Sequence, residues 1–140
     1  MRYLAIDLGD KRTGLAIGDD VTQLVTPLSV LEIGINAGLS DRLQHAINEQ
    51  QPDAIVFGLP LNMDGTEGPK AKQTREFGKQ LADFLDIPVY YQDERLTSYA
   101  ADQAMAQSGQ THKQKKKQRD AIAAAEILRD FLHDKSRATS

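Results

Sequence analysis

The chain has 140 residues, 40% hydrophobic and 26% charged, with a formal net charge of -3, the balance of an ordinary soluble domain long enough to bury a substantial core. It has no cysteine, which excludes disulfides, thiolate zinc sites and cysteine nucleophiles. No apolar run approaches the roughly 20 residues that span a bilayer, and Met1-Arg2-Tyr3 leads into a strand pattern without a signal-peptide layout; a cytoplasmic protein with no membrane partner is expected.

The first strand is expected at the start of the chain, where Leu4, Ile6 and Leu8 alternate with Tyr3, Ala5 and Asp7. Asp7 places an acid among apolar residues near the end of that strand. A buried carboxylate is costly unless a cation or a hydrogen-bond donor compensates it. After a glycine-rich turn, Leu15 to Gly18 read as a second strand and Leu24 to Leu31 as a third. Pro27 lacks a ladder donor, so the third strand belongs at a sheet edge.

Ser40 is the expected cap of a helix reaching about Gln51, with Leu39, Leu43, Ala46 and Ile47 on its buried face. Asp53 to Pro60 has an unbroken apolar centre, the pattern of a strand covered on both sides. The loop from Gly58 to Gly68 then leads to Pro69 near a helix start. Phe77, Leu81, Phe84 and Leu85 fit that helix's buried stripe. A short strand over 87–92 closes on Asp93-Glu94-Arg95, and a helix follows from Thr97 to Ser108 with Gly109 as its stop. The last helix is expected from about Asp120 to His133, inside one domain spanning 1–134, with 135–140 as a disordered tail.

Three meandering strands followed by two crossover units predict an α/β fold. Its five-stranded mixed sheet has three antiparallel strands, then two parallel ones, with helices on both faces.

Several side chains could carry chemistry. Asp120 shares a helical face with Ala124, Ile127, Leu128 and Phe131, an unusual place for an acid unless the helix macrodipole alone explains it. Asp93 and Glu94 end a strand, and only one of two adjacent strand residues normally faces a given side; periodicity does not choose between them. Acids gathered from separate elements repel one another, and hard divalent ions such as Mg2+ or Mn2+ relieve that repulsion through oxygen ligands. Two such ions roughly 3.5–4 Å apart support phosphodiester cleavage.

The loop containing Asn62, Asp64 and Thr66 lies at the carboxyl end of a strand, where α/β sheets bind ligands, and is expected to contact substrate. Lys113, Lys115, Lys116, Lys117 and Arg119 form a basic stretch that, with Lys11 and Arg12, suits nucleic-acid phosphates. A solvated helix face is the plainer reading of that stretch. His45, His112 and His133 have no metal-ligand spacing.

Four segments occur in order: Ala5-Ile6-Asp7-Leu8-Gly9-Asp10-Lys11-Arg12-Thr13-Gly14-Leu15-Ala16, Gly58-Leu59-Pro60-Leu61-Asn62-Met63-Asp64-Gly65-Thr66-Glu67-Gly68, Asp93-Glu94-Arg95-Leu96-Thr97, and Asp120-Ala121-Ile122-Ala123-Ala124-Ala125. Together they resemble the YqgF family of ribonuclease H-like proteins, also called RuvX or Holliday junction resolvase-like proteins. The resemblance covers nearly the whole chain. It implies a ribonuclease H-like fold and a bacterial cytoplasmic nuclease that trims the 5′ end of precursor 16S ribosomal RNA. Holliday junction resolution is an older assignment within the family, so DNA junctions are a further expected substrate.

The resemblance makes Asp7, Glu94 and Asp120 the catalytic, metal-binding acids, with Mg2+ or Mn2+ as cofactor and a monomer or homodimer as the assembly. The sequence departs from the broader ribonuclease H pattern in having no acid on the strand from Ile55 to Pro60. Glu94, Asp93 or Asp64 must then supply the second ligand. Two other readings compete: a single-lobe nucleotide-binding protein, since Asp7-Leu8-Gly9 also resembles the phosphate loop of actin-like ATPases, and a non-catalytic rRNA-binding assembly factor.

Overall fold

The structure is a computed structural model that describes residues 1–94 and 112–139, with side chains over 1–94 and 119–136. Five strands, β1 (Arg2–Leu8), β2 (Thr13–Asp19), β3 (Val25–Leu31), β4 (Ala54–Leu59) and β5 (Val89–Asp93), form one sheet in the order β3-β2-β1-β4-β5. The first three pair antiparallel, while β4 and β5 join parallel, which is the mixed sheet expected from the sequence. β3 lies at the edge, as Pro27 requires. Leu15 pairs with Ser29 and Ala16 with Pro27, so Leu28 is an extra residue in a bulge beside the proline.

Helices α1 (Leu39–Gln50) and α2 (Pro69–Phe84) cover one face of the sheet, and α3 (His112–Thr139) covers the other. Alternation along each strand sorts side chains between the two layers. Leu4, Ile6, Leu15, Ile55 and Phe57 meet α1 and α2, whereas Tyr3, Ala5, Ala16, Ala54 and Val56 meet Ala124, Ile127, Leu128 and Leu132 of α3. The residues under α3 are mostly small, so this helix lies close to the sheet. Gly14 marks the nearest approach: a Cβ there would collide with the backbone carbonyl of Asp120.

Several local expectations are corrected. Gly38, not Ser40, caps α1, and no side chain bonds to its first turn; the four apolar residues named for its buried face are buried. Phe84 does not join the stripe of α2 and is 70% exposed, whereas Leu85, one residue on, packs against the core. The final helix starts at His112 rather than near Asp120 and runs to Thr139, so residues 135–139 are helical rather than a disordered tail. Lys135 is tethered: its Nζ donates to the Tyr3 hydroxyl at 2.5 Å. The expected helix from Thr97 to Ser108 lies outside the described residues. Among the described residues, no helix is long and apolar enough to cross a membrane.

Candidate metal and nucleic-acid site

Register explains how distant acids meet. Asp7 pairs with Gly14 on β2, and Ile6 with Phe57 on β4, which sets Asp7 level with Gly58. Gly58 is in register with Gln92 on β5. Parallel neighbours in register face the same way, so Asp7, Gly58, Gln92 and, two residues on, Glu94 all point to the α3 side. Asp93 is level with Leu59 and points to the opposite side. Face parity brings Glu94, not Asp93, to Asp7.

The two carboxyl groups share a hydrogen bond. Gly58 lies beneath them, and a Cβ there would come within 2.5 Å of Glu94 Oε2 and collide with Ile127. The absence of a side chain at Gly58 is what leaves Glu94 room to reach inward. The backbone N–H of Glu94 donates to the Leu59 carbonyl at 3.2 Å, extending the β4–β5 ladder to this residue.

Burial pushes the Asp7 carboxyl up to about 6; its hydrogen bond with Glu94 opposes the shift and the charge of Asp120 adds to it. Burial pushes Glu94 further, to about 9, reinforced by the charge of Asp7 and by the shared hydrogen bond, and opposed by Lys70. The pair therefore holds a proton between its two carboxyl groups at neutral pH.

Asp120 arrives from α3. The helix begins two turns before it, so a macrodipole preference for acids in the first turn does not explain its position. The Asp120 carbonyl rests against Gly14, and its carboxylate Oδ2 accepts a hydrogen bond from Arg12 Nε at 2.8 Å. Asp120 is close enough to Asp7 to raise its pKa by charge alone. Among the described residues no group of three ligands stands ready to enclose a metal ion. One pair holds a proton between its members and the third acid holds Arg12. Both are positive species compensating clustered carboxylates, and the oxygen-only donor set suits Mg2+ or Mn2+. The donor atoms are of the type such an ion prefers, while the three acids do not enclose one in this arrangement.

The remaining expected contacts divide. Lys11 is exposed in the β1–β2 turn, and Arg119 is exposed on α3. Lys113, Lys115, Lys116 and Lys117 lie in the opening turns of α3, with side chains outside the description. Asn62, Asp64 and Thr66 bond to one another: Asn62 Nδ2 donates to Thr66 Oγ1 at 3.0 Å, and Thr66 Oγ1 to Asp64 Oδ1 at 2.6 Å. Gly65 between them takes φ 88°, a left-handed conformation suited to glycine. These side chains shape the loop's own turn, and Asp64 is not among the acids that meet Asp7. His45 pairs with Glu49 on an exposed helix face, and His133 is exposed.

Lys70 was not singled out from the sequence. Its Nζ lies 2.9 Å from Asp10 Oδ2, at a cleft of about 110 Å³ lined by Gly9, Asp10, Pro60, Thr74 and Glu94 among others. A signal was present: a lysine directly after Pro69 opens α2 with a positive charge where the helix dipole disfavours one.

The chain and its fold have known counterparts. The family described as "RuvX: Holliday junction resolvase" matches residues 1–134. A protein of Syntrophomonas wolfei named "Putative pre-16S rRNA nuclease" is 42% identical over 133 residues, covering 94% of each chain. A Lactococcus lactis protein of the same name is 37% identical, covering 94% of this chain and 93% of its own. Among solved structures, the fowlpox virus resolvase with Holliday junction DNA superposes with a TM-score of 0.62 at 11% identity, covering 96% of this chain and 98% of its own. Thermus thermophilus RuvC with a Holliday junction substrate gives 0.61 at 14% identity, covering 97% and 96%. The fold is ribonuclease H-like, as the resemblance implied, and the chain belongs to the RuvX family.

Proposed function

We propose that this protein is a metal-dependent nuclease that hydrolyses phosphodiester bonds in structured RNA, with the 5′ end of precursor 16S rRNA as its substrate in ribosome biogenesis. The observation that carries the reading is the hydrogen bond between the carboxyl groups of Asp7 and Glu94, with Asp120 near enough to act on Asp7 by charge. A protein that only binds RNA has no reason to press carboxylates together against phosphates. The names carried by the relatives support the rRNA substrate.

Asp7, Glu94 and Asp120 would hold Mg2+ or Mn2+, which supplies Lewis-acid stabilisation and lowers the pKa of a coordinated water. The pair must give up its shared proton to solvent before both carboxylates can serve as ligands. Lys11, Lys70, Arg119 and the basic stretch of α3 supply positive charge for phosphates flanking the scissile bond. Arg12 is bound to Asp120, one of the three acids.

The test is Asp7→Asn, assayed for cleavage of a precursor 16S rRNA 5′ fragment with Mg2+ and with chelator. Loss of cleavage in the variant and in chelator, with RNA binding retained or strengthened, is expected. Undiminished cleavage by Asp7→Asn would remove the catalytic assignment. The family's description as a Holliday junction resolvase supports a second reading, and a four-way DNA junction in the same assay separates the two substrates.

A further inference from the structure

We propose that Arg12 is a latch on Asp120: it competes with the divalent cation for this carboxylate until a substrate phosphate draws the guanidinium away. The inference rests on the nuclease reading above. It concerns how the site is loaded, not which bond is cut.

The backbone is closely packed at both ends of the pair. Gly9 packs against the Arg12 carbonyl so closely that a Cβ would not fit, and Gly14 packs against the Asp120 carbonyl in the same way. Between these contacts Thr13 is fully buried and donates its hydroxyl to the Ile33 carbonyl at 2.9 Å. The side chains of Arg12 and Asp120 remain 31% and 27% exposed. They are open to incoming ligands while their backbones stay fixed, so loading changes rotamers rather than the fold.

The competition is local. Arg12 Nε occupies Oδ2 of Asp120, an oxygen a cation would need, and a guanidinium beside a dication adds direct repulsion. Phosphate competes for Arg12, because its oxygens can accept both arms of the planar fork, whereas the contact to Asp120 is a single Nε–Oδ2 hydrogen bond. Once the fork engages phosphate, Asp120 is released to join Asp7 and Glu94. RNA and metal then bind with positive coupling, and linkage makes that coupling reciprocal. In the absence of RNA the latch keeps metal affinity low. Lys70 provides a contrast: it also brings positive charge near Glu94, but its own partner is Asp10 and not one of the three acids.

The experiment titrates Mn2+ into the RNA-free full-length protein and follows the loss of the free-ion signal by electron paramagnetic resonance. Arg12→Gln is expected to bind Mn2+ roughly tenfold more tightly than the unsubstituted protein, an effect the size of one partly exposed charge pair plus the relieved repulsion. Arg12→Lys, which keeps the charge without the fork, should fall between the two and covers the case in which Arg12→Gln does not fold. Lys70→Ala should change Mn2+ affinity much less. In cleavage assays Arg12→Gln should need less Mg2+ for half-maximal rate while its KM for RNA rises. Unchanged or weaker Mn2+ binding in both Arg12 variants, or an equal gain in Lys70→Ala, would overturn the latch. If the unsubstituted protein shows no Mn2+ binding that Asp7→Asn abolishes, the metal reading itself falls and the latch with it.

Discussion

Gly58→Ala is the most informative single perturbation, because one added methyl group meets two different constraints. The new Cβ would lie within 2.5 Å of Glu94 Oε2, against an ordinary van der Waals contact of 3.4–4 Å, and would also collide with the fully buried Ile127. Either neighbour must yield by about an ångström. Overpacking of this kind in a closely fitted interior costs about 1–3 kcal/mol, which corresponds to a melting temperature lower by roughly 4–12 °C for a domain of this size. The functional consequence is separable from the stability cost. Ile127→Val opens space on the apolar side and costs about 0.5–1.5 kcal/mol alone. In the double variant the methyl group can settle toward the helix, so stability should recover relative to the sum of the single losses. The Glu94 carboxylate, however, still has the new methyl beneath it. The assay pairs thermal unfolding with Mn2+ titration on both single variants and the double. Reduced Mn2+ affinity in Gly58→Ala that persists in the double variant is expected. Unaltered Mn2+ affinity in Gly58→Ala, with the fold intact, would refute the role of Gly58 in seating Glu94.

Gly14→Ala should be more damaging than Gly58→Ala, because its Cβ would meet backbone at Asp120 rather than the end of a side chain; a loss of more than about 3 kcal/mol in denaturant unfolding is expected. The raised pKa values of Asp7 and Glu94 set the sign of a pH effect. The folded state holds protons that the unfolded chain releases at an ordinary carboxyl pKa, so metal-free stability should fall as pH rises from about 4 through about 6 and on toward about 9. Glu94→Gln should flatten the upper part of that profile, and saturating Mg2+ should flatten it as a whole, both readable by melts across the pH range. Lys70→Ala should weaken RNA binding and reduce the salt dependence of affinity by about one unit of slope if Lys70 contacts a phosphate, as measured by filter binding at several salt concentrations.

The sheet was legible from alternation and punctuation. Pro27 marked the edge strand, the unbroken apolar run through Ile55 and Phe57 marked the strand buried on both faces, and Pro69 marked the start of α2. The early turns of α3 were not legible, because residues 112–119 have no apolar stripe and the helical period emerges only where the helix reaches the sheet. Phe84 misled because the helical period admits both Phe84 and Leu85 after Leu81, and it is Leu85 that packs against the core. In the site, Asp7 stood out as an acid in an apolar strand. Asn62, Asp64 and Thr66 also bond to one another within their turn, which the sequence of a polar loop does not disclose.

The sequence by itself determined the strands, most of the helices and the carboxylates available for chemistry, since period, proline and isolated acids are local properties of the chain. Only the tertiary structure decided that Glu94 rather than Asp93 joins Asp7, that Gly58 and Gly14 make room for the second and third acids, and that Arg12 holds Asp120. Those outcomes depend on strand register and on the distance between helix and sheet. Both arise when residues far apart in the chain pack together, and neither is encoded in any single segment.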